Sequence, residues 1–147
     1  MRINSIKVDS STIVGRFGVV HVRNDCEYAV RWRLLPKVPS RLEAWLDAYW
    51  RRLPDNQLQL YYNAPNRCPG FLVLAYARAG RNTSIASLRT GLSALDEIAM
   101  IMHKQSIVCE ATNPRLTSRV MNYFGYTRHA HQLKGHHYIK RLTTRDE

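Results

Sequence analysis

The sequence predicts an α+β domain with a mixed, mostly antiparallel central sheet flanked by helices. Two features carry that expectation. Several strand-like runs and one helical pattern fill the first half, and the second half then runs strand, helix, strand, helix, strand, strand. Capping residues also fall where each helical period begins and ends.

Taken in order, residues 3–8 read as a short first strand. Ile13 to Arg23 is rich in β-branched residues, and Asn24-Asp25 reads as a two-residue turn. Cys26, Tyr28, Val30, Trp32 and Leu34 then alternate with Glu27, Arg31 and Arg33, so 13–35 is expected to be a hairpin with one apolar face. Ser40 and Glu43 make a capping box for a helix whose face carries Leu42, Trp45, Leu46, Tyr49 and Leu53, with Pro54 as its stop. At that spacing, Trp45, Tyr49 and Trp50 read as core rather than as a base-stacking platform.

Residues 58–63 alternate as a strand, 64–70 form a turn with Pro65 and Pro69, and 71–78 (FLVLAYAR) is the most apolar strand, expected at the sheet centre. Ser84 caps the next helix, whose stripe is Ile85, Leu88, Leu92, Leu95, Ala99 and Met102; Gly91 within it costs about 1 kcal/mol relative to alanine. Residues 106–112 read as a strand covered on both faces. Asn113 caps a second helix with Pro114 in its first turn and Leu116, Val120, Met121 and Phe124 as its stripe, and Gly125 ends it. Two last strands, 127–133 and 136–142, hinge at Gly135.

At 147 residues the chain is expected to be a single domain, 1–147, large enough to bury a core without metals or disulfides. No apolar run reaches membrane-span length, and the N-terminus lacks a signal-peptide pattern. Cys26, Cys68 and Cys109 are odd in number and unclustered, which reads as buried reduced thiols and a cytoplasmic location. The net charge of +11 is carried mostly by arginine, 17 of the 22 basic residues. Such a surface attracts polyanions, whether nucleic acid, phosphorylated cofactors or acidic membrane lipid; equally it is a solvated basic surface or an interface with an acidic partner. The bias sharpens at the end of the chain, with Arg128, Lys134, Lys140, Arg141 and Arg145 and no acid between Thr127 and Arg145. His129, His131, His136 and His137 lack cysteines nearby and read as surface or partly buried groups, so no metal is expected. Walker, Rossmann and serine-elbow motifs are absent.

From Phe71 to Leu142 the chain resembles the GNAT family of acetyl-CoA-dependent N-acetyltransferases. The matching pieces are FLVLAYAR, then Arg81-Asn82-Thr83-Ser84-Ile85-Ala86 opening a helix, then IVCEATN, SRVMNYFGY and HHYIKRL. The resemblance implies a GNAT-like fold that binds acetyl-CoA or CoA and transfers an acetyl group to an amine. It places Tyr76, Arg78, Arg81, Thr83, Ser84, Ile85, Ala86 and Asn113 at the cofactor. The family loop reads Gln/Arg-x-x-Gly-x-Gly/Ala; here Arg81 and Ala86 match and Ser84 replaces the central glycine.

Backbone N–H groups at a helix N-terminus hold a pyrophosphate, and glycine permits its close approach. Ser84 is equally an ordinary N-cap. The tyrosine position that the family uses to protonate the leaving thiolate falls on Met121, with Tyr123 nearby, and FLVLAYAR lacks the family's strand glutamate. Tyr123 and Glu110 are therefore the candidate catalytic residues, although a lone strand glutamate also serves as an arginine partner. The first half offers one helix and an additional hairpin where the family has two helices. The alternative reading is a non-catalytic basic binding module on the same fold, its partner nucleic acid or an acidic protein. In that reading the arginines of the 26–35 strand and the C-terminal cluster track phosphates.

Overall fold

A computed structural model describes residues 16–37, 42, 53–111 and 116–143. The strand expected at 3–8, Asn113, and the 40–53 helix except for Leu42 and Leu53 lie outside those residues. The elements are β1 (Phe17–Arg23), β2 (Glu27–Arg33), β3 (Gln57–Asn63), β4 (Phe71–Ala79), α1 (Ile85–Ile101), β5 (Ser106–Glu110), α2 (Ser118–Tyr123), β6 (Thr127–His129) and β7 (His137–Arg141). The strands form one sheet in the order β2-β1-β3-β4-β5-β7-β6, so β4 stands in the middle as its composition foretold. Every neighbouring pair is antiparallel except β4 and β5, which run parallel. The α+β class with a mixed, mostly antiparallel sheet follows from these pairings.

The hairpin forms, with two corrections. Arg23 pairs with Glu27, so the loop has three residues and Cys26 belongs to it rather than to a strand. Asn24 and Asp25 both take positive φ, 49° and 69°, a conformation their short polar side chains tolerate. The apolar face of β2 also fades along its length. Tyr28 is buried and its hydroxyl donates to Glu97 on α1, but Trp32 is 43% and Leu34 80% exposed. β2 is an edge strand, and α1 meets it at Tyr28, four residues before Trp32.

α1 begins as expected: the Ser84 side chain accepts from the Ser87 N–H. Its buried stripe is Ser87, Gly91, Leu92, Ala94, Leu95, Ile98 and Ala99. The expected stripe was rotated slightly, since Ile85 is 54% exposed and Ile98 fully buried. Gly91 explains the rotation. A Cβ there would lie 3.0 Å from the methyls of Leu58 and Leu60, so the bare backbone lets the helix settle onto β3. Its cost in helix propensity is offset by that approach. Gly18 does the same within the sheet, where an added Cβ would strike the buried Tyr62 ring.

The other arm of the sheet is lighter. α2 is capped by Thr117, whose hydroxyl accepts from the Val120 N–H, so the helix starts four residues after the expected Asn113 cap. Gly125 closes it at φ 88°: the Gly125 N–H donates to the Asn122 carbonyl and the Tyr126 N–H to that of Met121. The last strands are shorter than expected because Ala130 (φ 52°) and Gly135 (φ 101°) turn the chain between them. β5 stops at Glu110 rather than at residue 112, and it is not covered on both faces throughout, since Val108 is only half-buried and Glu110 exposed. Lys140 reaches Asp96 at 2.5 Å, yet burial leaves the Asp96 carboxyl above its usual range despite that partner. Of the cysteines only Cys109 is buried, its thiol pushed up to about 12 by burial; Cys26 and Cys68 are exposed because both lie in turns.

Candidate functional site

The centre of the sheet comes apart along one seam. β4 and β5 pair from Phe71 with Ser106 to Leu74 with Cys109, and no further. On its other side β4 stays with β3, but with a bulge: Tyr61 faces Tyr76 and Tyr62 faces Leu74, leaving Ala75 as the additional residue. A bulge bends its strand and increases the local twist, which separates β4 from β5 at that point. Among the described residues, 75–79 therefore have β3 on one side and no strand on the other. Along such a stretch every second residue turns its N–H and C=O to the open side. The side chains there are small: Ala75 is half-buried, and Ala77 and Ala79 are exposed.

A cavity of about 550 Å³ lies against the seam. Phe71, Val73 and Ala75 of β4 and Val108 of β5 give it apolar walls, while Glu110, His137 and Lys37 bring polar groups. Glu110 stands opposite His137 in the β5–β7 ladder. Its carboxylate lies against Gly135, where a Cβ would come within 2.5 Å of Oε1. The positive φ of 101° calls for glycine there, whereas the flexible end of Glu110 could swing aside from a Cβ. The Tyr138 hydroxyl meets Ser118 Oγ of α2 at 2.9 Å. Asn63 holds the Lys37 backbone at both its N–H (3.0 Å) and its carbonyl (2.8 Å). The Lys37 ammonium lies over the rings of Tyr61 and Tyr76, at 4.6 and 5.0 Å.

The N-terminus of α1 is the second candidate feature, and the protein's own groups fill much of it. Asn56 Oδ1 accepts the Ser84 N–H at 3.1 Å and the Ser87 hydroxyl at 2.9 Å. The Ser84 hydroxyl donates to the Asp25 carboxylate, which also accepts from Asn56 Nδ2 at 2.8 Å. The Thr90 hydroxyl donates to the Asp25 carbonyl. The hydrogen bonds from Ser84 and Asn56 hold the Asp25 carboxyl below its usual range. Among the described residues, the N–H groups of Ile85 and Ala86 remain without a partner.

The residues expected at a cofactor divide accordingly. Arg81, Ser84, Ile85 and Ala86 do gather at the start of α1, and Arg81, Ile85 and Ala86 are exposed. The Thr83 hydroxyl is committed to the Gly80 and Gln57 carbonyls, at 2.7 and 3.2 Å. Tyr76 and Arg78 stand opposite Tyr61 and Gln59 in the β3 ladder and turn their backbone to β3, while the Arg78 side chain donates to Gln59 at 3.1 Å and the Tyr76 ring packs at 6.1 Å from Tyr61. Glu110 reaches the cavity. Tyr123 does not: it is 66% exposed and accepts from Arg89 at 2.8 Å. Sequence reasoning missed Asp25 and Asn56, and the alternating alanines of residues 75–79 were its nearest signal for the open edge. Among the described residues no group of three or more His, Cys, Asp or Glu stands together as a metal site. No described helix is long and apolar enough to cross a membrane.

The chain matches no family model, no curated protein and no solved structure.

Proposed function

We propose that the chain is a divergent GNAT-like protein that lays the pantetheine arm of acetyl-CoA or CoA along the open edge of β4 and passes the acetyl group to an amine. The parting of β4 from β5 after Leu74 and Cys109 carries this reading. An extended, amide-bearing arm satisfies the backbone groups that Ala77 and Ala79 turn away from β3, as an added strand would. The alanines leave it room, and the thioester comes to lie at the cavity.

In this reading the amine nitrogen attacks the thioester carbonyl. The C–N bond forms, the C–S bond breaks, and a proton from nitrogen passes to the Glu110 carboxylate. A backbone N–H of the open edge steadies the developing oxyanion. The thiolate leaves with its electron pair and takes that proton back from Glu110 through water. Thioester and amine become amide and thiol. Tyr123 has no part in this step, since it is exposed and bound to Arg89 on the surface. The remainder of the catalysis is positioning.

The test is calorimetric titration with acetyl-CoA, CoA and pantetheine, repeated on Ala77→Trp. Saturable binding that the tryptophan abolishes is expected. Absence of binding by all three compounds, or binding indifferent to Ala77→Trp, overturns the proposal.

The basic binding module is the second reading. Arg33, Lys37, Tyr61 and Tyr76 cluster as a nucleic-acid platform would, but cations already lie over the rings: Lys37 over both, and Arg33 over Tyr61 at 5.2 Å. That favours the open edge of β4 as the site.

A further inference from the structure

We infer that the pantetheine thioester reaches this site on an acidic carrier protein, as phosphopantetheine joined to a serine, rather than on a free nucleotide cofactor. The inference rests on the reading of the β4 edge given above and names the donor it takes.

The first observation is what already fills the start of α1. A nucleotide donor brings a pyrophosphate and a further phosphate, and a helix N-terminus with open N–H groups is where they are best held. Here Asn56 takes the Ser84 N–H, and Ser84 Oγ takes that of Ser87. The Asp25 carboxylate, delivered by the β1–β2 turn, stands among the hydroxyls. A pyrophosphate at this place meets a fixed negative charge and finds two N–H groups, those of Ile85 and Ala86. Phosphopantetheine carries a single phosphodiester charge and no adenine to seat. Its demand matches what is left.

The second observation is the surface around the opening. α1 leaves the end of β4, and α2 follows β5, so both helices belong to the end of the sheet where the seam is open. Arg81 before α1, Arg89 on α1 and Arg119 on α2 are all exposed, and neither helix has an acidic residue in its first turn. The whole chain carries +11. Fields of this kind speed and orient the approach of an acidic protein, and they weaken with salt.

The third observation is length. Residues 75–79 span about 16 Å at roughly 3.3 Å per residue. That is room for an extended arm of two amides to run from a surface-docked carrier to the cavity.

The experiment compares four probes on the full chain by equilibrium titration: pantetheine, acetyl-CoA, a small acidic carrier protein bearing acetyl-phosphopantetheine, and the same carrier without its arm. The loaded carrier is expected to bind at least about tenfold more tightly than both acetyl-CoA and the bare carrier. Arg89→Glu with Arg119→Glu should remove that advantage and leave pantetheine binding unchanged. Asp25→Asn should strengthen acetyl-CoA binding without strengthening the carrier's. Acetyl-CoA binding as tightly as the loaded carrier overturns the inference and leaves the β4 reading intact. Bare carrier binding as tightly as loaded carrier also overturns it, as contact by charge alone. Failure of pantetheine and of every other probe overturns the β4 reading along with it.

Discussion

Small residues serve opposite ends on the two sides of β4. On the β3 side, Gly91 and Gly18 are small because a neighbour fills the space: Leu58 and Leu60 press on the first, Tyr62 on the second. On the β5 side, Ala77 and Ala79 are small and exposed, and no described strand lies alongside them. A glycine under a leucine contributes to stability through closeness, whereas an alanine beside an empty seam contributes little to it. The contrast separates the part of the sheet that holds the fold from the part free to hold a ligand.

The sharpest break should come in the packed region. Leu95, fully buried under α1, should cost about 3 kcal/mol on truncation in Leu95→Ala, read as a lowered urea midpoint at unchanged slope. Gly91→Leu should cost about 2 kcal/mol, because the helix must lift from Leu58 and Leu60. A neutral or stabilising result would show that the close approach of α1 is not needed. Thr117→Ala should cost about 1 kcal/mol through the lost cap of α2, where Asn113 was expected to act.

Asp25 gives a prediction in pH. Its carboxyl titrates below its ordinary value of 3.8 in the folded protein, so its contribution is present above that value and is lost as pH falls through the folded one. Wild type should therefore lose stability in acid more steeply than Asp25→Asn over that window. Asp96, raised by burial, has the opposite sign, since its contribution is present in acid and lost as pH rises through its folded value. The difference between wild type and Asp25→Asn cancels it. Equal acid profiles would exclude the network at the start of α1 as a source of stability.

The smallest expected effect on stability is the most telling. Ala79→Leu, on the open seam, should leave the urea midpoint within about 0.5 kcal/mol of wild type. If it costs as much as Gly91→Leu, the seam is packed and the contrast fails.

Much of this was legible locally. Ser84 as cap, Gly125 as stop, the hairpin and the central place of β4 all follow from short-range patterns: a side chain that reaches its own backbone, a glycine where φ is positive, and runs of apolar residues. The misses share a different cause. Whether Trp32 is covered depends on where α1 crosses β2. Asn113 and Thr117 both have capping side chains, and it is the Thr117 hydroxyl that accepts from the Val120 N–H. Cys26 and Cys68 lie beside strands in sequence but in turns in space.

By itself, then, the amino-acid sequence determined the order of the described elements, the Ser84 cap, the Gly125 stop and the basic character of the chain, because each is read from composition or from residues within a few positions of one another. The tertiary structure alone decided that Ala75 bulges, that β4 and β5 part after Leu74 and Cys109, that Asp25 and Asn56 reach the start of α1, and that Glu110 rather than Tyr123 lines the cavity. Those outcomes are set by contacts between residues far apart in the chain, where strand twist and helix placement choose among neighbours that local pattern leaves equivalent.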